Sequence, residues 1–166
     1  MKILSIDPGY GRCGWAILEK PGKLKISSCN QETQLVACDC IETEAKKSLP
    51  DRLKEIYDAV IYIIKKYHPD ELAIESLFWF KNQKTALAVA QARGVLILAA
   101  KNYCLSVCEY TPLQVKSAVV GYGKATKEQI SKIIKLHLRG QAVPIQDDTA
   151  DAVAIGLTHL QTSKFK

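Results

Sequence analysis

Apolar and polar positions along the first part of the chain follow the rhythm of strands. An apolar run over residues 2–7 closes on Asp7, Pro8-Gly9-Tyr10-Gly11 follows as a tight turn, and a second apolar run covers 13–18. Glycine tolerates positive φ and proline fixes φ, so these residues punctuate extended segments. Pro21-Gly22 predicts another turn, and the alternation of Leu24 with Ile26 predicts a third strand over 24–29. Three strands joined by short turns form most simply an antiparallel meander. The polar stretch 30–34 reads as a loop or insertion, and 35–41 as a further strand or a continuation.

From residue 48 the period changes. Ser48-Leu49-Pro50-Asp51 is a helix start, with Ser48 or Leu49 near the cap and Pro50 and Asp51 in the first turn. Leu53, Ile56, Tyr57, Val60, Ile64 and Tyr67 then keep helical spacing until His68-Pro69 stops the run. A short strand over 71–75 ends on Glu75. Residues 83–102 predict a helix rich in Ala and Gly, whose small side chains let it approach a sheet closely. Its other face would meet a symmetric partner or be buried in its turn. A strand over 105–110 precedes Thr111-Pro112, which opens a helix through Val120, and Gly121-Tyr122-Gly123 breaks it. Thr126-x-x-Gln129 has the form of a capping box before Ile130, Ile133, Ile134 and Leu138, and a last helix is expected from about 147 to 160. The order predicts an α/β layer fold with a mixed sheet of five strands, first antiparallel and then parallel, flanked by helices. A chain of 166 residues favours one domain over 1–166.

Four carboxylates stand out against this pattern. Asp7 and Glu75 each end an apolar strand, while Asp148 and Asp151 sit three apart in a helical stretch and share a face. The strand at 71–75 follows a crossover helix, so it should lie beside the first strand and parallel to it, with Asp7 and Glu75 at the same end. A helix over that end brings the other two acids within reach. Each acid alone has a bland reading, as a turn residue, a strand-end charge or a complement to a helix dipole. Periodicity alone leaves Asp147 and Asp148 open as the partner of Asp151. Together the acids predict a cage for hard divalent cations.

Charge sharpens the picture. Residues 101–140 carry seven Lys or Arg against two Glu, a net +5 of the chain's +6. A basic region beside an acidic cage favours a polyanionic substrate and hence a nuclease. Six cysteines include no C-x-x-C pair, so they are expected reduced and structural, with Cys29, Cys104 and Cys108 in strand-like runs. His68, His137 and His159 lack metal-ligand spacing and are expected at the surface or at caps. No apolar run reaches about 18 residues and no signal-peptide pattern opens the chain, so a cytoplasmic location is expected.

Ile6-Asp7-Pro8-Gly9, Ala73-Ile74-Glu75, Gln91-Ala92-Arg93-Gly94, Gln114-Val115-Lys116, Gly121-Tyr122-Gly123-Lys124-Ala125 and Asp148-Thr149-Ala150-Asp151-Ala152 stand in this order. Together they resemble the RuvC-type Holliday-junction resolvases of the RNase H-like nuclease superfamily, over nearly the whole chain. The resemblance implies an RNase H-like fold and a homodimer that nicks four-way DNA with Mg2+, with Mn2+ as a substitute and two ions per site. A branch-migration helicase complex is a further expected partner. It implies Asp7, Glu75, Asp148 and Asp151 as metal-binding catalytic acids, choosing Asp148 over Asp147. It implies Lys116 as a stabiliser of charge near the scissile phosphate, and Phe78, Arg93, Lys116, Lys124 and Lys127 as residues toward DNA. Cys13 departs from the family, which commonly has Thr there, and Phe78-Trp79-Phe80 is unusually aromatic. Other readings are a relative acting on flaps or forks, and an inactive DNA-binding scaffold. An actin-like ATPase is disfavoured, because no further glycine loops or second domain fit this length.

Overall fold

The computed structural model describes residues 1–20, 33–77, 83–121, 126–138 and 147–162, with the backbone alone for Gln83, Lys84 and Lys127. The strands are β1 (Lys2–Asp7), β2 (Arg12–Glu19), β3 (Gln34–Glu42), β4 (Glu71–Glu75) and β5 (Ser106–Tyr110). The helices are α1 (Leu49–Tyr67), α2 (Gln83–Asn102), α3 (Pro112–Val120), α4 (Lys127–His137) and α5 (Asp147–Thr162). The strands form one sheet in the order β3-β2-β1-β4-β5. β1 and β3 each pair antiparallel with β2, whereas β1–β4 and β4–β5 are parallel. The mixed five-stranded sheet is therefore as expected. The predicted strand over 24–29 lies outside the described residues, and the third antiparallel strand of the structure is the 34–42 segment.

Alternation along the strands sorts the core onto two faces. Leu4, Ile6, Ile17, Leu72 and Ile74 pack against α1 and α2. Ile3, Ala16, Leu18 and Ala73 pack against α3, α4 and α5. Each fully buried Leu or Ile side chain contributes on the order of 1.5–3 kcal/mol. Both faces of β1 and β4 are covered, so these central strands read as nearly continuous apolar runs.

Local chemistry places the helix ends. The Ser48 hydroxyl accepts from the Asp51 backbone N–H, and Pro50 sits where a missing donor costs nothing. His68, in the left-handed region at φ 49°, closes α1 and donates its backbone N–H to the Ile64 carbonyl. Thr126 and Gln129 form the expected capping box, and Thr111 with Gln114 forms a second one at the start of α3. Two expectations are corrected here. Cys104 is not in a strand but in the turn before β5, at φ 59°. His159 is neither at the surface nor a cap: it lies on the face of α5 turned to the sheet and is 1% exposed.

Candidate active site

Asp7 and Glu75 are neighbours because β1 and β4 are parallel and in register. Ile6 pairs with Ile74, so the next residue of each strand is an acid at a common carboxyl end. Both side chains fall on the alternating face that carries Ile3 and Ala73, the face covered by α5. Across the other edge of β1, Asp7 pairs with Gly14 of β2. Gly14 is where α5 begins its passage over the sheet, and a Cβ built there would lie 2.0 Å from the Asp148 carbonyl oxygen. A glycine is required at this position for the helix start to come so close.

The electrostatics follow from this crowding. Burial pushes the Glu75 carboxyl up to about 7, and the charge of Asp151 pushes the same way, while Lys116 acts in the opposite sense. Glu75, Lys116 and Asp151 line a cleft of about 210 Å³ whose walls include Pro112, Val115, Ile130, Ala154 and Ile155. Asp148 is bound by Arg12, whose Nε donates to Oδ2 at 2.6 Å, and Arg12 also lies 3.5 Å from Glu42. Cys13 is fully buried, and its thiol is pushed up to about 12 by burial first, with Asp7 and Asp148 among the charges adding to it.

The four acids thus share one end of the sheet without meeting at a point. Among the described residues, no three of them bring ligand atoms within 4.8 Å of one another. Arg12 draws Asp148 to itself. The donor set is all carboxylate oxygen, which matches Mg2+ or Mn2+. The raised Glu75 marks a place where added positive charge is favoured. These residues fit a hard divalent cation.

The expected DNA-facing residues divide. Lys116 borders the cleft. The Arg93 side chain is largely enclosed, donating from Nε to the Glu75 carbonyl at 3.1 Å and pairing with Glu109 at 2.5 Å. Phe78 and Lys124 lie outside the described residues, as does the Lys127 side chain. Arg12 is the contact that sequence reasoning missed. The signal was its position two residues before Gly14, on the same alternating strand face, beneath a helix that begins with two acids.

The description "Crossover junction endodeoxyribonuclease RuvC" belongs to the family that matches residues 3–159. A protein of that name from Finegoldia magna is 46% identical over 166 residues, covering 100% of this chain and 96% of its own. Its counterpart from Brevibacillus brevis is 46% identical over 165 residues, covering 99% and 95%. Among solved structures, Thermus thermophilus RuvC in complex with a Holliday junction substrate superposes with a TM-score of 0.88. It is 27% identical and covers 99% of this chain and 95% of its own. With its parallel Asp7–Glu75 pair beneath an acidic helix start, and matched along almost its whole length, this chain belongs to the RuvC family of crossover junction endodeoxyribonucleases.

Proposed function

We propose that this protein is a Mg2+-dependent, structure-selective endonuclease that resolves four-way DNA junctions by symmetric paired nicks in recombination and repair. The observation that carries the reading is the adjacency of Asp7 and Glu75 at the carboxyl end of two parallel strands, beneath the start of α5. Asp7, Glu75, Asp148 and Asp151 would hold the metal. Two bound ions would supply an activated water and stabilise the charge of the departing oxygen in phosphodiester hydrolysis.

The chain's own residues hold those acids together and set the field around them. Burial and Asp151 make an ionised Glu75 costly, so the site favours positive charge. Lys116 is the cation bordering the cleft with Glu75 and Asp151, and it would neutralise a phosphate oxygen there. Apolar walls from Val115, Ile130 and Ile155 lower the local dielectric and strengthen both effects. Arg12 would exchange Asp148 for solvent or phosphate as the acids turn inward. Lys124 and Lys127 extend the basic segment along which a DNA backbone would lie, and Phe78 would stack on unpaired bases. Arg93 would reach a phosphate only by exchanging Glu109 for it.

A homodimer presents two such sites to the two equivalent strands of a junction. Support comes from the outer face of α2, where Leu87 is 69% and Leu98 56% exposed, and where a Cβ at Gly94 would meet no atom within 4 Å. A branch-migration helicase is the expected partner in cells.

The deciding experiment incubates the purified protein with a labelled synthetic four-way junction, with and without Mg2+. Paired nicks that require the metal are expected. Asp7→Asn should retain junction binding and lose cleavage by about 10²-fold or more. Undiminished cleavage by Asp7→Asn would remove the metal role. Faster cutting of a flap with the same sequences would reassign the enzyme to other branched DNA.

A further inference from the structure

The far end of α5 carries a second constellation. Asp151, Ile155 and His159 recur every four residues and form one stripe of the helix. The stripe starts beside Glu75 and ends beside Glu71, at the other end of β4. Eight residues of helix span about 12 Å and four residues of strand about 13 Å, so the register is kept along the whole crossing. His159 Nε2 lies 2.7 Å from Glu71 Oε2. Its Nδ1 lies 2.8 Å from the Tyr110 hydroxyl. Cys108, outside any disulfide, completes the group, and the ligand atoms of Glu71, Cys108 and His159 all lie within 4.8 Å of one another.

Counting hydrogens shows what this group lacks. The Thr162 hydroxyl donates to the Thr158 carbonyl at 2.9 Å, which commits its hydrogen. The Tyr110 hydroxyl, 3.1 Å from Thr162 Oγ1, is therefore the donor in that pair. Its oxygen must then accept from His159 Nδ1–H. Nε2, buried and outside hydrogen-bond geometry, then faces the Glu71 carboxylate oxygen. A buried ring nitrogen and a half-exposed carboxylate this close need something positive between them, a proton or a metal ion. A proton there makes the contact an ion pair, whereas a metal ion would take the sulfur of Cys108 as a third donor.

We propose that Glu71, Cys108 and His159 bind a zinc-like transition ion, separate from the oxygen-lined catalytic end. Imidazole nitrogen, thiolate sulfur and carboxylate oxygen form a donor set that suits Zn2+ and is poor for Mg2+. Tyr110 accepts the hydrogen bond from Nδ1–H, which is the arrangement that orients a metal-bound histidine. Three protein ligands leave the fourth position to water. Binding displaces the thiol proton to solvent and ties the end of α5 to β4 and β5.

The test uses the full chain, stripped with a chelator and titrated with Co2+. One equivalent should produce a thiolate-to-cobalt charge-transfer absorption that Zn2+ displaces. The band should disappear in Cys108→Ser, whose near-isosteric side chain preserves the fold, and persist in Asp7→Asn. Zn2+ affinity, measured by competition with a chromophoric chelator, should fall at least about 10-fold in Cys108→Ser and in His159→Gln. Absence of the band from the unmodified protein, or its survival in Cys108→Ser, overturns the assignment and leaves His159 a protonated partner of Glu71.

Discussion

Lys116 and Glu75 show how strongly a single residue here depends on its neighbours. Burial and Asp151 hold the Glu75 carboxyl near 7, and Lys116 is the influence that lowers it. Lys116→Ala should therefore raise the Glu75 pKa further and reduce turnover by about 10²-fold. Stability should change by no more than about 0.5 kcal/mol, since Lys116 is partly exposed. Single-turnover nicking beside a thermal melt checks both, and unaltered nicking would remove Lys116 from the chemistry. Cys13 gives the pH dependence. Its folded pKa of about 12 stands above the ordinary 9.0. The buried thiol thus contributes stability that is fully present below pH 9 and is lost as pH rises toward 12. At pH 8 an alkylating reagent should modify the exposed Cys104 and spare Cys13 until the protein unfolds. Early modification of Cys13, read by peptide mass spectrometry, would contradict its burial.

At the scale of elements, α5 decides the site, and two glycines let it lie flat on the sheet. A Cβ at Gly14 would lie 2.0 Å from the Asp148 carbonyl oxygen, and backbone cannot yield as a side chain can. A Cβ at Gly156 would lie 2.3 Å from Leu18 Cδ1 and 2.8 Å from Ser5 Oγ, atoms that rotamer changes can move. Gly14→Ala should shift the start of α5, costing about 1–3 kcal/mol and about 10²-fold in cleavage. Gly156→Ala should lower the melting temperature while leaving cleavage per folded molecule near its starting value. Equal effects on cleavage would mean that the helix start is not what positions Asp148. Helix boundaries were largely legible, because caps are local: Ser48 and the Thr126–Gln129 box stood in the sequence as they stand in the fold. The Thr111–Gln114 box follows the same T-x-x-Q pattern, hidden behind a proline that had already explained the helix start.

At the scale of the whole molecule, the proposed dimer would form on the exposed face of α2. Leu87, Gln91, Gly94 and Leu98 recur at helical spacing on the exposed side of α2. A charge placed among them opposes close packing of two copies. Leu98→Glu should shift the protein toward monomer in analytical ultracentrifugation and convert paired nicks into single, uncoordinated ones. A Leu98→Glu protein that stays dimeric would place the two-fold contact elsewhere. Among the described residues no helix is long and apolar enough to cross a membrane, in agreement with the hydropathy of the chain.

Sequence by itself determined what a few adjacent residues can encode: strand and helix periods, turns, most caps, and the acids that end β1 and β4. It left the 34–42 segment undecided, because the half-exposed alternation of an edge strand is weak beside the apolar runs of central ones. Tertiary structure alone decided which distant groups meet. Arg12 reaches Asp148 across 136 positions, and His159 is buried against Glu71 and Tyr110 rather than exposed. Local steric preference and hydrophobic period act within a few residues. Contacts of that range exist only once the sheet has paired and a helix has been laid across it.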